Sequence, residues 1–220
     1  MAGRTNLKDM VYNAVLQEII SGKYQPGDIL NEKALTEKFE VSKSPVRDAL
    51  VSLCADNVVR NIPRYGYEVI RLTQEDIYEM LQYREFLELG NLQRAYQHFG
   101  EKELDCLRRL DLNCQRDDVD PIEHWKYNAE FHVAMMEFCG NRFITENVRR
   151  CMSRLLRAYS QLYWNQRGGC RLSVDTKHHA MIIEDLAKRD PEALLRDLRG
   201  DLRDFGDFVE NNGIKNNFFS

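Results

Sequence analysis

Val41-Ser42-Lys43-Ser44-Pro45-Val46-Arg47-Asp48-Ala49-Leu50 reads as a tight turn that launches a short helix. Ser44 suits the N-cap, and Pro45 suits the first helical position, where proline's missing N–H costs nothing. Ser42, Lys43, Ser44 and Arg47 crowd the helix start with hydroxyls and cations. Val46, Ala49, Leu50 and Leu53 follow at helical spacing and form an apolar stripe behind them. Donors in front and core behind is what a helix laid in the major groove of DNA requires.

The flanking segments strengthen this reading. Residues 5–21 place Leu7, Val11, Ala14, Val15 and Ile19 on one helical face and end at Ser21-Gly22. Tyr24-Gln25-Pro26-Gly27-Asp28 has the chemistry of a turn, and Asn31 caps a second helix through about Phe39, with Ala34, Leu35 and Phe39 inward. The few residues between Phe39 and Pro45 leave helix-turn-helix spacing. Beyond Asp56, Val58-Val59-Arg60-Asn61-Ile62 and Tyr67-Glu68-Val69-Ile70 read as two strands around the turn Pro63-Arg64-Tyr65-Gly66, which makes a wing. Arg64 at the wing tip is placed for a minor groove or a phosphate.

The bulk composition excludes several classes. A chain of 220 residues with 43% hydrophobic and 30% charged residues is that of a soluble globular protein. No apolar run approaches a bilayer span and the N-terminus has no signal-peptide core, so a cytoplasmic protein is expected. The six cysteines (Cys54, Cys106, Cys114, Cys139, Cys151 and Cys170) include no Cys-x-x-Cys pair and read as reduced and mostly buried. The net charge of −4 argues against indiscriminate nucleic-acid binding. It is unevenly spread: residues 1–72 hold 10 Lys/Arg against 9 Asp/Glu, and the remainder 21 against 26. A near-neutral segment still binds DNA when its cations share a face.

From Thr73-Gln74-Glu75-Asp76, where Thr73 and Asp76 fit a capping box, the pattern is helical. Segments at 74–98, 101–116, 121–139, 141–165, 173–188 and 191–210 are divided by Gly100, Gly140 and the Arg167-Gly168-Gly169 loop, with cap-plus-proline starts at Asp120-Pro121 and Asp190-Pro191. The expected architecture is mainly α: a winged helix-turn-helix domain of three helices and a two-stranded wing at 1–72, then an all-α bundle of about six helices at 73–210. A loose tail follows at 211–220.

Four polar residues fall on apolar faces of that bundle. Asn128 and His132 stand one turn apart on the stripe of Trp125, Met135, Met136 and Cys139. His179 shares a face with Ile182, Ile183 and Leu186, while His178 is turned about 100° toward solvent. Asp201 interrupts the stripe of Leu194, Leu198, Leu202, Phe205 and Val209. Inward polar groups on three helices can converge as a metal site or as a polar ligand pocket, and each alone is more often a hydrogen-bonded core residue.

The first part resembles the winged-helix head of the GntR family of bacterial transcription regulators. The resemblance rests on Pro26-Gly27, Leu30, Glu32, Leu35, the Val41–Leu50 stretch and Gly66-Tyr67-Glu68-Val69, and it covers about 7–71. It implies DNA contacts from Lys43, Ser44 and Arg47, with Ser42, Arg64 and Gly66 beside them. The family usually has arginine at position 43, and lysine lacks its bidentate fork, so that contact shifts toward phosphate.

The second part resembles the FCD effector domain of FadR-type regulators over about 74–210. The residues that carry this are Tyr83-Arg84, Leu87-Glu88, Asn128-Ala129-Glu130-Phe131-His132, Gly140-Asn141, His179, Ile182 and Ala187-Lys188-Arg189-Asp190. The resemblance implies a homodimer reading an inverted-repeat operator. It also implies a small effector, an organic acid, beside a divalent metal. His132 and His179 match the family's ligands; Asn128 stands for its usual aspartate and Asp201 for its last histidine. This N2O2 set suits Zn²⁺, Ni²⁺ or Mn²⁺, and the alternative is a metal-free or vestigial pocket. Arg84 either meets an effector carboxylate or pairs with Glu88, and Arg150, Arg154 and Arg157 are further candidates. Enzymatic use of the metal is disfavoured, because no general base stands beside the set and the DNA-binding head would be without purpose.

Overall fold

The structure, a computed structural model, describes residues 7–116, 118–165 and 177–211, with side chains to residue 162 and again over 178–203. The chain forms two compact units: Met1–Leu72 with Ser160–Arg167, and Thr73–Tyr159 with Gly168–Ser220.

In the first unit, α1 (Leu7–Ile20) is followed by β1 (Ile29–Leu30), α2 (Glu32–Phe39) and α3 (Lys43–Ala55). β2 (Val59–Ile62) and β3 (Gly66–Val69) then form the wing. Val11, Val15 and Ile19 of α1 meet Leu35 of α2 and Val46, Ala49, Leu50 and Leu53 of α3 in one core, closed by Leu30, Tyr67 and Val69 of the sheet. Asn31 caps α2 by accepting from the Lys33 and Ala34 amides at 2.9 and 3.4 Å.

Two expectations are corrected here. The cap of α3 is Ser42, in extended backbone, not Ser44; Lys43 is the first helical residue, and Ser44 and Pro45 follow. Proline is tolerated anywhere among the first four orphan amides of a helix, so its position alone does not fix where the helix starts. The wing also has three strands, not two, in the antiparallel order β1-β3-β2, with Ile29 opposite Glu68 and Leu30 opposite Tyr67. β1 has only two residues, too few for an alternation to be read. It reaches β3 through Gly27, at φ 97°, whose amide donates to the Val69 carbonyl at 2.9 Å.

In the second unit, α4 (Gln74–Ala95) ends in a 3-10 turn at Tyr96–His98. It is followed by α5 (Glu101–Cys114), α6 (Pro121–Phe138), α7 (Arg142–Asn165), α8 (Lys177–Lys188) and α9 (Pro191–Asn211). The starts are those their caps dictate. Thr73 and Asp76 close a capping box, Asp120 accepts from the Ile122 and Glu123 amides, and Asp190 accepts from the Glu192 and Ala193 amides. α9 packs on α8 and α4, and α5 packs on α6 and α8. Trp125, fully buried on α6, stacks on Tyr159 of α7 at 5.0 Å between centroids. Cys170, the Arg167-Gly168-Gly169 loop, residues 173–176 and 212–220 of the tail lie outside the described residues, as do the side chains of Phe205 and Val209.

Candidate nucleic-acid interface and metal centre

Ser42, Lys43, Ser44 and Arg47 are all exposed around the start of α3, while Val46, Ala49 and Leu50 are buried beneath them. Arg47 is held by Glu32, the first residue of α2. Its Nε donates to Oε1 and its Nη2 to Oε2, both at 3.2 Å. The buried Tyr67 of β3 donates its hydroxyl to the same Oε1 at 3.2 Å. The Arg47 hydrogen bond comes first in holding the Glu32 carboxyl below its usual range, against the opposing effect of burial. Ser44 Oγ lies 3.4 Å from Asp48 Oδ2.

At the wing, Arg64 adopts φ 71° and Tyr65 closes the turn by donating its amide to the Ile62 carbonyl at 3.0 Å. Arg64 and Tyr65 are exposed at this tip. Gly66, at φ 132°, is required by the fold: a Cβ there would lie 2.5 Å from the Leu30 carbonyl oxygen of β1.

The second unit brings His132, His179 and Asp201 together. Ligand atoms of His132 on α6, His179 on α8 and Asp201 on α9 all lie within 4.8 Å of one another, and all three side chains are buried. Asp201 Oδ2 is 2.9 Å from His132 Nε2, and its Oδ1 is 3.5 Å from His179 Nε2. Neither contact is aligned as a hydrogen bond, so both Nε2 atoms are buried without a hydrogen-bond partner. Asn128 is buried one turn before His132.

Behind these groups stand two carboxylates that the sequence reading did not assign to the site. Glu88 of α4 faces His132 Nδ1 at 2.8 Å, and Asp111 of α5 lies 3.3 Å from His179 Nδ1. For His132 the Glu88 carboxylate on Nδ1 fixes the tautomer that leaves the Nε2 lone pair pointing at the site, which is how metal-binding histidines are supported, whereas Asp111 lies near His179 Nδ1 without an aligned hydrogen bond. Phe131 stacks on the His179 ring at 3.8 Å and 10°, holding its plane. In this tautomer two lone pairs face one carboxylate, an arrangement that is favourable when a cation or a proton lies between them. The donor set therefore fits a divalent metal.

The same electrostatics governs titration. Burial alone would raise the Asp201 carboxyl, yet His132 and His179 hold it at about 2. Burial would lower His132, and the Glu88 and Asp201 carboxylates overcome it and raise it. Cys114 and Cys139 are pushed up to about 12 and Cys151 to about 11, chiefly by burial, so these free thiols stay protonated.

Arg84 is buried and forms its ion pair with Glu88, Nε to Oε1 at 2.6 Å. Its Nη2, and Nε of Arg154, are buried without a hydrogen-bond partner. Arg150 is exposed and pairs with Glu146, whereas Arg157 is buried. His178 does not project freely into solvent as expected. It is half-buried across Gly200 of α9, where a Cβ would come within 2.5 Å of the imidazole.

Residues 7–69 match the bacterial regulatory proteins of the gntR family, and residues 79–203, more than half of the chain, match the FCD domain. The chain belongs to the GntR family. It is a bacterial transcription regulator with an FCD effector domain. It is 27% identical over 185 residues to the uncharacterized HTH-type transcriptional regulator YdhC of Bacillus subtilis, covering 83% of this chain and 81% of that protein. It is 25% identical to the gluconate operon transcriptional repressor of the same species, covering 87% and 80%. Its fold matches that of Escherichia coli McbR/YncC with a TM-score of 0.77 at 19% identity, covering 95% and 99% of the two chains. FCD domains often bind metal, and the His132, His179 and Asp201 cluster is a possible site for one. Among the described residues no helix is long and apolar enough to cross a membrane.

Both unassigned carboxylates were open to the argument that found Asp201. Asp111 follows Leu104 and Leu107 and precedes Cys114 on one helical stripe, and Glu88 stands between Leu81 and Leu92 on another.

Proposed function

We propose that this regulator acts as a homodimer in the cytoplasm, reading an inverted-repeat operator with two heads, and that a small carboxylic acid bound in the FCD domain modulates its affinity for DNA. Ser42, Lys43, Ser44 and Arg47 would contact the major groove, and Arg64 and the Gly66 turn the flanking backbone. Two-fold symmetry of the protein would be mirrored in the operator. Arg47→Ala should abolish specific operator binding in a gel-shift titration while leaving the melting temperature in place; unchanged affinity would refute this assignment.

The observation that carries the effector half is the pair of buried Nε2 atoms with carboxylates behind them. Nε2 of His132, Nε2 of His179 and a carboxylate oxygen of Asp201 would hold a divalent ion (Zn²⁺, Ni²⁺ or Mn²⁺), with the Asn128 amide oxygen as a neutral fourth ligand. A bound ion supplies a Lewis-acid anchor for an anionic effector. The buried Nη2 of Arg84 and Nε of Arg154 supply donors that a carboxylate would satisfy. Glu88 would have two tasks, keeping His132 in the ligating tautomer and Arg84 in place.

Elemental analysis of the purified, tag-free protein tests this reading, with a His132→Ala/His179→Ala variant as control. Near one metal per chain, lost in the variant, is expected. No metal after supplementation would favour the alternative in which the same four groups hydrogen-bond an effector directly, and it would leave the DNA-binding assignment intact.

A further inference from the structure

Arg47 is about two-thirds exposed, yet it is tied at two points to a carboxylate on another helix. A surface ion pair of this kind contributes little to stability, so its value to the fold does not explain it. The geometry of the guanidinium suggests another use. Its five N–H groups lie in one plane, and Glu32 takes Nε and one side of Nη2. What remains is Nη1 and the outer side of Nη2, a fork matching the O6 and N7 acceptors of guanine. Glu32 is itself fixed from a third element by the hydroxyl of Tyr67.

We propose that Glu32 is a positioning residue for DNA readout, holding Arg47 by one edge so that the free edge is presented to a guanine, and cancelling its charge so that Arg47 adds little to sequence-blind phosphate binding. The proposal rests on the reading that the head binds DNA through Arg47. It divides the work at the start of α3. Lys43, whose charge also acts on Glu32 but which forms no salt bridge among the described residues, serves phosphate; Arg47, neutralised and pre-oriented, serves a base. Holding the fork before DNA arrives removes ordering that would otherwise have to occur on binding. The Glu32 carboxyl, drawn below its usual range, stays ionised throughout the neutral pH range.

The test uses the full-length protein and a duplex obtained by selecting a randomised pool with the wild type, alongside a shuffled duplex of the same composition. Wild type, Glu32→Gln, Tyr67→Phe and Arg47→Ala are titrated with both across a range of salt concentrations. Glu32→Gln should reduce the selected-to-shuffled affinity ratio by about tenfold or more, concentrated at one G·C pair per half-site. It should also steepen the log affinity against log salt slope by about one per bound head. Tyr67→Phe, which keeps the charge pair and removes one anchor, should lower the ratio less and leave the slope alone. In the Arg47→Ala background Glu32→Gln should change neither. An unchanged ratio and slope in Glu32→Gln, or an equal loss without Arg47, would overturn the proposal. A wild type that enriches no sequence would instead refute the underlying DNA-binding reading, and the proposal with it.

Discussion

Arginine–carboxylate pairs appear in both units of this molecule, in opposite surroundings. In the head, Arg47 and Glu32 meet at 3.2 Å with the arginine side chain 65% exposed. In the bundle, Arg84 and Glu88 meet at 2.6 Å with 2% and 0% exposed. Water screens the first pair, and little stability depends on it, so its geometry is available for a partner. The second pair lies where an uncompensated charge is not tolerated, and Glu88 also holds His132. The same chemistry thus orients an arginine at the surface and, through Glu88, a histidine in the interior.

The sharpest way to break this contrast is to remove one carboxylate from each pair. Glu88→Ala strands the buried Arg84 cation and should lower the unfolding free energy by about 3–5 kcal/mol, read from urea denaturation followed by tryptophan fluorescence. Glu32→Gln should leave the melting temperature nearly unchanged; equal losses would erase the distinction.

Gly66 gives the next largest effect, confined to the head. Alanine there must adopt φ 132° with its Cβ against the Leu30 carbonyl, so Gly66→Ala should destabilise by about 1–3 kcal/mol and loosen β1 from β3 in hydrogen exchange.

Another buried carboxylate, in the bundle, separates the two units by pH. Asp185 of α8 is raised to about 6, first by burial and then by its hydrogen bond to Asp197 of α9, which Arg196 holds ionised. The folded chain therefore keeps a proton that the unfolded chain releases near pH 4, so this contribution is complete below about pH 4 and lost as pH rises through about 6. Asp185→Asn keeps the neutral form at every pH. It should match the wild type near pH 4 and exceed it in thermal stability above pH 7; a constant offset across that range would contradict the assignment. The smallest effect is that of Arg47→Ala on stability, which should be close to nil.

Much of this was legible in the sequence because two signals, helical spacing and cap chemistry, act locally. Asn31, Thr73, Asp120 and Asp190 begin helices where their side chains accept the orphan amides. His132, His179 and Asp201 were visible as polar breaks in apolar stripes. What escaped was set by distant parts of the chain. β1 exists because β3 offers it an edge 37 residues on, at Leu30 opposite Tyr67. The α3 cap moved to Ser42 because proline fits several positions of the first turn. Glu88 could be paired with Arg84 from spacing alone, but its second oxygen serves a histidine 44 residues away. His178 looked solvent-facing until Gly200 supplied the bare surface on which it packs.

Metabolite-dependent regulation would require the FCD cluster to communicate with the DNA-binding head. The measurement that tests it most directly is the affinity for a pool-selected duplex with and without Zn²⁺ plus citrate, in the wild type and in His132→Ala/His179→Ala. Coupling predicts a shift of about 5- to 150-fold in the wild type and none in the variant. Equal affinities in the wild type under both conditions, or the same shift in both proteins, would contradict it.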